Sequence, residues 1–258
     1  MAGIICETSG EIGWLVIDRP THRNALTTAM WRELPRVVEH LDADDAVRVI
    51  IMRGAGEAAF AAGADILELQ QMGDDPDALA AFEHDFEAAQ ASIENASKPV
   101  IAAVRGPCMG GGMALALACD MRIAADDASF AIPAARLGLG YAAPAVARLM
   151  RVVGAANAFE VLATARRLSA SEAMRMGLIT QVTDPESVFA QATKTAEQIA
   201  RNAPLTVRAA KATIAALVRD RTLLRDAEML IAQCGQSADF AEGRKAFAEK
   251  REPRFQGR

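Results

Sequence analysis

Short, almost wholly apolar runs alternate with longer amphipathic stretches along the first two thirds of the chain. Residues 13–18 (GWLVID), 47–53 (VRVIIMR) and 99–104 (PVIAAV) have the uniform apolarity of strands buried on both faces of a sheet. Similar short runs at 121–124 and 179–182 predict two more strands. Because helical stretches separate these strands, the pattern predicts an α/β fold.

The stretches between the strands carry apolar residues at helical spacing. Thr27 is a suitable N-cap for a helix between the first two strands, although Pro35 should distort or shorten its first turns. Further helices are predicted at 65–72, 78–96 and 113–119 and, after Pro185, at 186–203, 205–218 and 223–241. A charged tail, residues 242–258, follows the last helix.

Composition narrows the class of protein. A chain of 258 residues with 52% hydrophobic content can bury a large core as one domain. Its net charge of −5 and its mixed acidic and basic residues favour neither a nucleic-acid partner nor binding to a membrane surface. The uncharged part of its most apolar region, residues 106–119, is too short to span a bilayer. The first ten residues lack the basic start and long apolar run of a secretory signal, so we expect a cytoplasmic protein.

The histidines and cysteines do not predict a metal site. His22, His40 and His84 show no metal-ligand spacing. The four cysteines are scattered without the paired spacing of a zinc site or a redox motif, at positions 6, 108, 119 and 234. We therefore expect reduced, mostly buried cysteines and no metal in catalysis.

Three consecutive glycines, Gly110–Gly112, stand between a predicted strand and a predicted helix. Such glycines let the backbone approach a ligand, and the helix that follows directs free N–H groups and its positive dipole end toward that ligand. A nucleotide P-loop would need Lys and Ser or Thr where Met113 and Ala114 stand, and a dinucleotide fingerprint would need a glycine where Leu115 stands. The remaining candidates are an oxygen that becomes negative during a reaction, or simply a tight turn.

A second loop of small residues, 59–66 (AFAAGADI), also joins a strand to a helix and would present backbone to a ligand. With it, four separated motifs resemble the crotonase (enoyl-CoA hydratase/isomerase) superfamily, over nearly the whole chain from about Ile12 to Phe255. They are IDRPTHRNAL (17–26), FAAGADI (60–66), KPVIAAVRGPCMGGGMALALACD (98–120) and EGRKAFAEKREPRF (242–255).

The resemblance implies an α/β crotonase (ClpP-like) fold of repeated β-β-α units, with a core domain at 1–200. It also implies a C-terminal helical trimerisation region at 201–258, and hence a homotrimer or a dimer of trimers. The partner implied is an acyl-CoA substrate. Coenzyme A enters as part of the substrate thioester, and no other cofactor and no metal is implied.

In this family two peptide N–H groups hold the thioester oxygen, and by resemblance they belong here to Ala64 and Gly111. Removing one donor of such an oxyanion hole typically costs about 10²–10³ in rate. The resemblance also implies coenzyme A contacts. Ala62 would lie against the adenine ring, while Phe247 and Lys250 would reach coenzyme A bound in an adjacent subunit. Arg23 is a weaker candidate for the same polyanion.

The sequence departs from the family pattern at the acid and base positions. Family hydratases carry glutamates where Ala114 and Ala134 stand, and another subfamily's carboxylate position falls in Tyr141-Ala142-Ala143. Each missing acid or base should cost about 10²–10⁴ in rate, so hydration by the usual route should be crippled.

Decarboxylation needs no base, because departure of CO₂ itself leaves an enolate for the two N–H donors to hold. Family decarboxylases of methylmalonyl-CoA type place a tyrosine thirty residues after the oxyanion glycine, and Tyr141 is thirty residues after Gly111. We hypothesise that Tyr141 hydrogen-bonds a substrate carboxylate or carbonyl; the alternative is a tyrosine packed in the pocket wall. A lyase of decarboxylase or retro-aldol type is thus predicted. A hydratase or isomerase with an unusual acid or base and a non-catalytic acyl-CoA-binding protein are the alternatives.

Overall fold

A computed structural model describes residues 3–258; Met1 and Ala2, where the predicted core domain begins, lie outside the described residues. The strands are β1 (Gly3–Ser9), β2 (Ile12–Asp18), β3 (Val49–Gly54), β4 (Val100–Val104), β5 (Pro107–Met109), β6 (Met121–Ala125), β7 (Ser129–Ala131), β8 (Leu168–Ser169) and β9 (Gln181–Thr183). The helices are α1 (Thr28–Ala43), α2 (Ile66–Met72), α3 (Pro76–Asn95), α4 (Gly111–Ala118), α5 (Ala143–Thr164), α6 (Ala170–Arg175), α7 (Val188–Ala200), α8 (Pro204–Val218), α9 (Leu224–Gln236) and α10 (Ala238–Glu249). Short 3₁₀ helices occupy Pro20–His22, Pro133–Leu137 and Arg221–Leu223.

The main sheet has six strands in the order β1-β2-β3-β4-β6-β9. The β1–β2 pair is antiparallel and every other neighbour is parallel. A smaller sheet has the order β5-β7-β8. The predicted α/β fold is therefore confirmed, with the parallel strands joined by helical crossovers.

Both faces of the main sheet are covered, which explains why its central strands read as continuous apolar runs. Along β3, Ile50 and Met52 belong to the larger hydrophobic cluster, with α1, α3 and α4. The alternate residues Val49 and Ile51 belong to a second cluster on the opposite face, with α7. A polar side chain at any position of β3 would be buried on one face or the other. The strand is therefore apolar throughout and does not alternate between apolar and polar residues.

Three local predictions need correction. Helix α1 runs through Pro35 without interruption, because Trp31, Leu34 and Val38 on the buried face hold both halves of the helix in the core. Strand β1 and the small sheet were not predicted, since the runs that form them are short or only partly buried. The last predicted helix breaks at Ser237, whose side chain accepts the Phe240 N–H, so that much of the predicted tail is helix α10.

The C-terminal region packs onto the core of the same chain. The Arg48 guanidinium donates to the carbonyl oxygens of Ala200 and Phe255, at 2.8 Å each. The buried carboxylate of Asp239 accepts the N–H groups of Gln256 and Gly257, both at 2.7 Å. The division into a core and a trimerisation region stays a prediction. Between residues 3 and 258, no helix combines the length and apolarity that a bilayer crossing requires.

Gly112 tests how tightly the loop at 59–64 packs onto α4. A Cβ at this position would overlap the carbonyl oxygen of Ala61 and lie 2.7 Å from the Ala61 Cβ, so the backbone would have to shift. We expect Gly112→Ala to lower the free energy of unfolding by about 1–3 kcal/mol, as measured by urea denaturation. Gly140→Ala is the control, because a Cβ there meets nothing within 4 Å. Equal stability of the two variants would contradict the tight contact.

Candidate active site

The loop at 59–64 is held on one side by strand β5. The N–H groups of Phe60 and Ala61 donate to the Pro107 carbonyl oxygen at 3.1 and 3.3 Å. The Met109 N–H donates to the Ala61 carbonyl oxygen at 2.9 Å. This pairing fixes the loop beside the segment that leads into the three glycines.

The other side of the loop is held by the segment before α1. The Leu26 N–H donates to Gly63 and the Leu26 carbonyl oxygen accepts from Asp65, at 2.8 and 2.9 Å. These two bonds flank Ala64, whose own N–H has no acceptor within residues 3–258. Ala64 itself is half-buried.

Gly111 supplies a second free donor. It is the first residue of α4, where helix geometry leaves the N–H without an intrahelical partner, and it has no other acceptor among the described residues. A Cβ added to Gly63 would lie 3.2 Å from the Gly111 nitrogen and 3.0 Å from the Met109 carbonyl oxygen. The two free N–H groups of Ala64 and Gly111 therefore belong to adjacent backbone segments in close contact.

Arg122 binds carbonyl groups at the C-terminal end of α4. Its buried guanidinium donates to the carbonyl oxygens of Ala116 and Cys119 at 3.2 and 2.7 Å, and to that of Leu178 at 2.6 Å. Burial lowers the pKa of the Arg122 guanidinium, while nearby thiol and carboxyl groups oppose this shift. A cation at the C-terminus and free N–H groups at the N-terminus match the helix dipole, which favours negative charge beside Gly111.

Asp65 fixes the residue that follows Ala64. One carboxylate oxygen accepts the N–H groups of Leu67 and Glu68 as the N-cap of α2, and the other accepts from Arg19 at 2.5 Å. The hydrogen bond from Arg19 is the main reason why the pKa of Asp65 is lowered. The Asp65 carboxylate is therefore ionised and bonded, which suits a structural role better than proton transfer.

Aromatic side chains surround Gly111 on its Cα side. A Cβ on Gly111 would lie 2.8 Å from Trp31 Cζ2 and 3.1 Å from Phe86 Cε2. The Trp31 and Phe86 rings are 4.8 Å apart, and Phe82 follows at 5.9 Å from Phe86. Gly111 therefore borders an apolar, aromatic region formed by α1 and α3.

The two positions where the resemblance implies glutamates carry no ionisable group. Ala114 is buried in the first turns of α4, and Ala134 is buried in the 3₁₀ helix Pro133–Leu137. That helix lies beside the glycines, since Pro133 Cδ would be 3.9 Å from a Cβ on Gly110.

Nearby carboxylates already have partners. Glu68 accepts from the Thr28 N–H and hydroxyl at 2.6 and 2.8 Å. Glu87 and Glu94 both accept from the buried Arg148 guanidinium. Their oxygens hold helices together, and nothing in these contacts presents one of them as a free base.

Tyr141 is partly buried and packs against the larger hydrophobic cluster, as Phe82 and Phe86 do. Its hydroxyl is buried and has no hydrogen-bond partner among the described residues. Burial raises the pKa of Tyr141 to about 12, and the positive charge of Arg148 only partly opposes this. The hydroxyl is thus a neutral donor at physiological pH.

The four candidate coenzyme A residues fall into two groups. Arg23 and Ala62 are neighbours, because the Ala62 N–H donates to the Arg23 carbonyl oxygen at 2.9 Å, and both residues are exposed. Phe247, 88% exposed, lies in the last turn of α10, and Lys250 is the C-cap of that helix. Phe247 lines a cavity of about 700 Å³ with other C-terminal residues, among them Phe240 and Phe255. Among residues 3–258, no hydrogen bond or ion pair joins this group to Arg23 and Ala62.

Comparison with known proteins identifies the family of this chain. Residues 7–258 match the family model for enoyl-CoA hydratase/isomerase. The chain is 38% identical to a carnitinyl-CoA dehydratase of Proteus mirabilis, covering 97% of both chains. It is 36% identical to a crotonyl-CoA hydratase of Syntrophomonas wolfei, covering 98% of this chain and 97% of the relative.

Solved structures agree with the sequence comparisons. An enoyl-CoA hydratase/carnithine racemase from Magnetospirillum magneticum superposes with a TM-score of 0.92 at 35% identity, covering 99% of this chain and 96% of that one. The crotonase fold expected from the motifs is therefore confirmed. The protein belongs to the enoyl-CoA hydratase/isomerase family, whose enzymes act on acyl-CoA thioesters.

Several residues that shape the site were not predicted. Asn24, fully buried, donates to the carbonyl oxygens of Ala55 and Ala59 at 3.0 and 2.8 Å and so anchors the loop. Its place in the motif IDRPTHRNAL was the only available signal. The role of Arg122 could not be predicted, because its carbonyl partners come from separate turns and from Leu178. Trp31 was not identified from the sequence, because nothing there indicates that its indole N–H lacks a partner.

Tyr141 can be titrated directly, because it is the only tyrosine in the chain. Since burial raises its pKa to about 12, we expect little tyrosinate absorbance in the folded protein at pH 10. In guanidinium the exposed side chain should be half-ionised near pH 10. Half-ionisation near pH 10 in the folded protein would show that the hydroxyl is solvated, contradicting its burial.

Proposed function

We propose that the protein is a thioester-enolate enzyme of decarboxylase or lyase type, with the N–H groups of Ala64 and Gly111 as its oxyanion hole. The observation that carries the proposal is the pair of free backbone donors on adjacent segments, one of them at the N-terminus of a helix. Such donors are fixed before the reaction begins and strengthen as the oxygen becomes negative. A thioester oxygen bound there would be stabilised most in its enolate form.

Decarboxylation suits the remaining side chains best. Ala114 and Ala134 offer no acid or base, and nearby Asp65, Glu68 and Glu87 are hydrogen-bonded to other groups. In a malonyl-type thioester the C–C bond to the carboxylate breaks, CO₂ leaves, and the electron pair passes to the thioester oxygen as an enolate. A proton from water then reaches the α-carbon. This sequence consumes one proton and needs no protein base.

Tyr141 would orient the leaving carboxylate. Its hydroxyl is a buried donor with no partner among residues 3–258, and its side chain packs against the same hydrophobic cluster as Phe82 and Phe86. An apolar setting favours loss of a charged carboxylate as neutral CO₂, and one hydrogen bond suffices to hold the carboxylate in place. The raised pKa keeps the proton on the tyrosine through the neutral pH range.

Coenzyme A would bind through Arg23 and Ala62 of one subunit and through Phe247 and Lys250 of another. The separation of these pairs within one chain and the exposure of Phe247 support this arrangement. Such a shared site would require a homotrimer or a dimer of trimers. Lys250 would bind a phosphate of coenzyme A as a point charge.

A second candidate function is hydration or isomerisation, which the names of the relatives favour. A carnitinyl-CoA dehydratase and a crotonyl-CoA hydratase are 38% and 36% identical to this chain. Such a reaction would need an acid or base from outside positions 114 and 134. A third, an acyl-CoA-binding protein without activity, would retain the donors and lack turnover.

The decarboxylase proposal predicts that Tyr141→Phe lowers kcat/KM for malonyl-CoA or methylmalonyl-CoA by about 10- to 100-fold, because a hydrogen bond to a charged group is lost. CO₂ release measures the rate. The affinity for butyryl-CoA, which has no acyl carboxylate, is the control and should stay within about twofold of the parent. An undiminished rate with malonyl-type thioesters would remove Tyr141 from the mechanism.

Hydration provides the discriminating measurement between the candidate functions. We expect hydration of crotonyl-CoA to be at least about 10⁴-fold slower than by a family hydratase that has both glutamates, since two acid–base groups are missing. Loss of the conjugated thioester absorbance reports the reaction. Hydration at a comparable rate would favour the hydratase candidate, and tight acyl-CoA binding without turnover of any thioester would favour the non-catalytic one.

A further inference from the structure

Three buried side-chain nitrogen or oxygen atoms in residues 3–258 have no hydrogen-bond partner: Trp31 Nε1, Arg105 Nε and Tyr141 Oη. The arginine still forms an ion pair with Glu57 through another nitrogen. The tryptophan and tyrosine have no other polar group, so each leaves its whole hydrogen-bonding capacity unused. A buried donor without an acceptor destabilises the folded protein, and an acceptor atom on a bound ligand can remove this cost by forming the missing hydrogen bond.

Trp31 lies directly beside the candidate oxyanion hole. Its side chain is fully buried. The indole atoms Cζ2 and Cη2 would lie 2.8 and 3.0 Å from a Cβ on Gly111. One ring carbon separates Cζ2 from Nε1, so the unused N–H is on the ring edge that borders the residue whose backbone N–H is free.

The surroundings of Trp31 offer it no acceptor. Phe86 packs against the indole with ring centroids 4.8 Å apart and an interplanar angle of 56°. On its own helix, Leu34 and Met30 share its buried face. An acceptor brought in by a ligand would form its hydrogen bond in an apolar region, where competition from water is weak.

We propose that the Trp31 Nε1–H binds an oxygen atom of the acyl group and so selects thioesters that carry a hydrogen-bond acceptor beyond the thioester carbonyl. The ligand class is a β-oxygenated acyl-CoA, such as a 3-oxoacyl or malonyl-type thioester. The indole N–H is a hydrogen-bond donor only, and it does not ionise near neutral pH. Trp31 therefore determines specificity without acting as an acid or base.

The inference rests on the proposed thioester site and adds a donor to it. With Tyr141 it would provide two neutral donors for an oxygenated acyl group, separate from the backbone donors for the thioester oxygen. A simple alkanoyl group would leave the indole N–H unpaired. Discrimination between oxygenated and alkanoyl groups should then come more from the unpaired indole N–H than from a difference in contact area.

Two ligands with equal chain length test this discrimination. Acetoacetyl-CoA and butyryl-CoA each carry a four-carbon acyl group and differ by the oxygen on the β-carbon. We expect Trp31→Phe, which keeps an aromatic ring and removes the N–H, to weaken acetoacetyl-CoA binding about three- to tenfold more than butyryl-CoA binding. Titration calorimetry gives both dissociation constants. Equal weakening of both ligands would show that Trp31 only packs and would overturn the proposal.

A second measurement needs no change at Trp31. Trp14 is the only other tryptophan, and it lies on β2 beside Arg53. In a Trp14→Phe variant with ¹⁵N-labelled tryptophan, the single indole N–H resonance belongs to Trp31. We expect acetoacetyl-CoA to move this resonance downfield and butyryl-CoA to move it much less. An indole resonance that shifts equally with both ligands would overturn the proposal even if Trp31→Phe fails to fold.

Butyryl-CoA separates this inference from the function on which it rests. If butyryl-CoA binds and the indole shows no preference for the β-oxygen, the thioester site stands and the role of Trp31 is rejected. If neither ligand binds, both the thioester site and the role of Trp31 are rejected. Preferential binding of acetoacetyl-CoA that depends on the indole N–H supports both.

Discussion

The close approach of two backbone segments, 59–64 and 107–112, is the constraint on which the candidate site depends. Small residues make this approach possible, because a side chain on Gly112 would overlap Ala61 and one on Gly63 would press on Met109 and Gly111. Hydrogen bonds between Ala61 and Met109 and between Gly63 and Leu26 then hold the segments in register. The N–H groups of Ala64 and Gly111 are among those that this pairing leaves without an acceptor in residues 3–258.

The rest of the fold keeps those donors free and oriented. Strand β4 precedes the glycines, and the helix α4, which is almost wholly buried, follows them. At the other end of α4, Arg122 donates to the carbonyl oxygens of Ala116 and Cys119 inside the core. Buried polar side chains, Asn24 and Asp65 among them, anchor the loop. These polar side chains therefore fix the backbone around the two free main-chain donors.

Relatedness and site chemistry give different kinds of information here. The family match and the superposition at TM-score 0.92 establish an acyl-CoA enzyme fold. They do not transfer a reaction, because the acid and base side chains of a family are individual residues while the oxyanion hole belongs to the backbone. Alanine at positions 114 and 134 supplies no proton-transfer group, whereas the N–H donors of Ala64 and Gly111 do not depend on those side chains. Two neutral donors, Tyr141 Oη and Trp31 Nε1, are buried without a hydrogen-bond partner among the described residues.

The sequence by itself determined the α/β class, the buried central strands and the two glycine-rich or small-residue loops. Both faces of β3 and β4 are covered by other parts of the chain, so nearly every residue of these strands is apolar. This pattern can be recognised in the sequence. The motifs likewise located Ala64, Gly111 and Tyr141 as candidates. Only the tertiary structure decided that the Ala64 and Gly111 N–H groups lack acceptors, that Asp65 and Glu68 are engaged, and that the Trp31 and Tyr141 donors are buried without partners. Whether a donor finds an acceptor depends on which distant segments of the chain come into contact, and the local sequence does not determine these contacts.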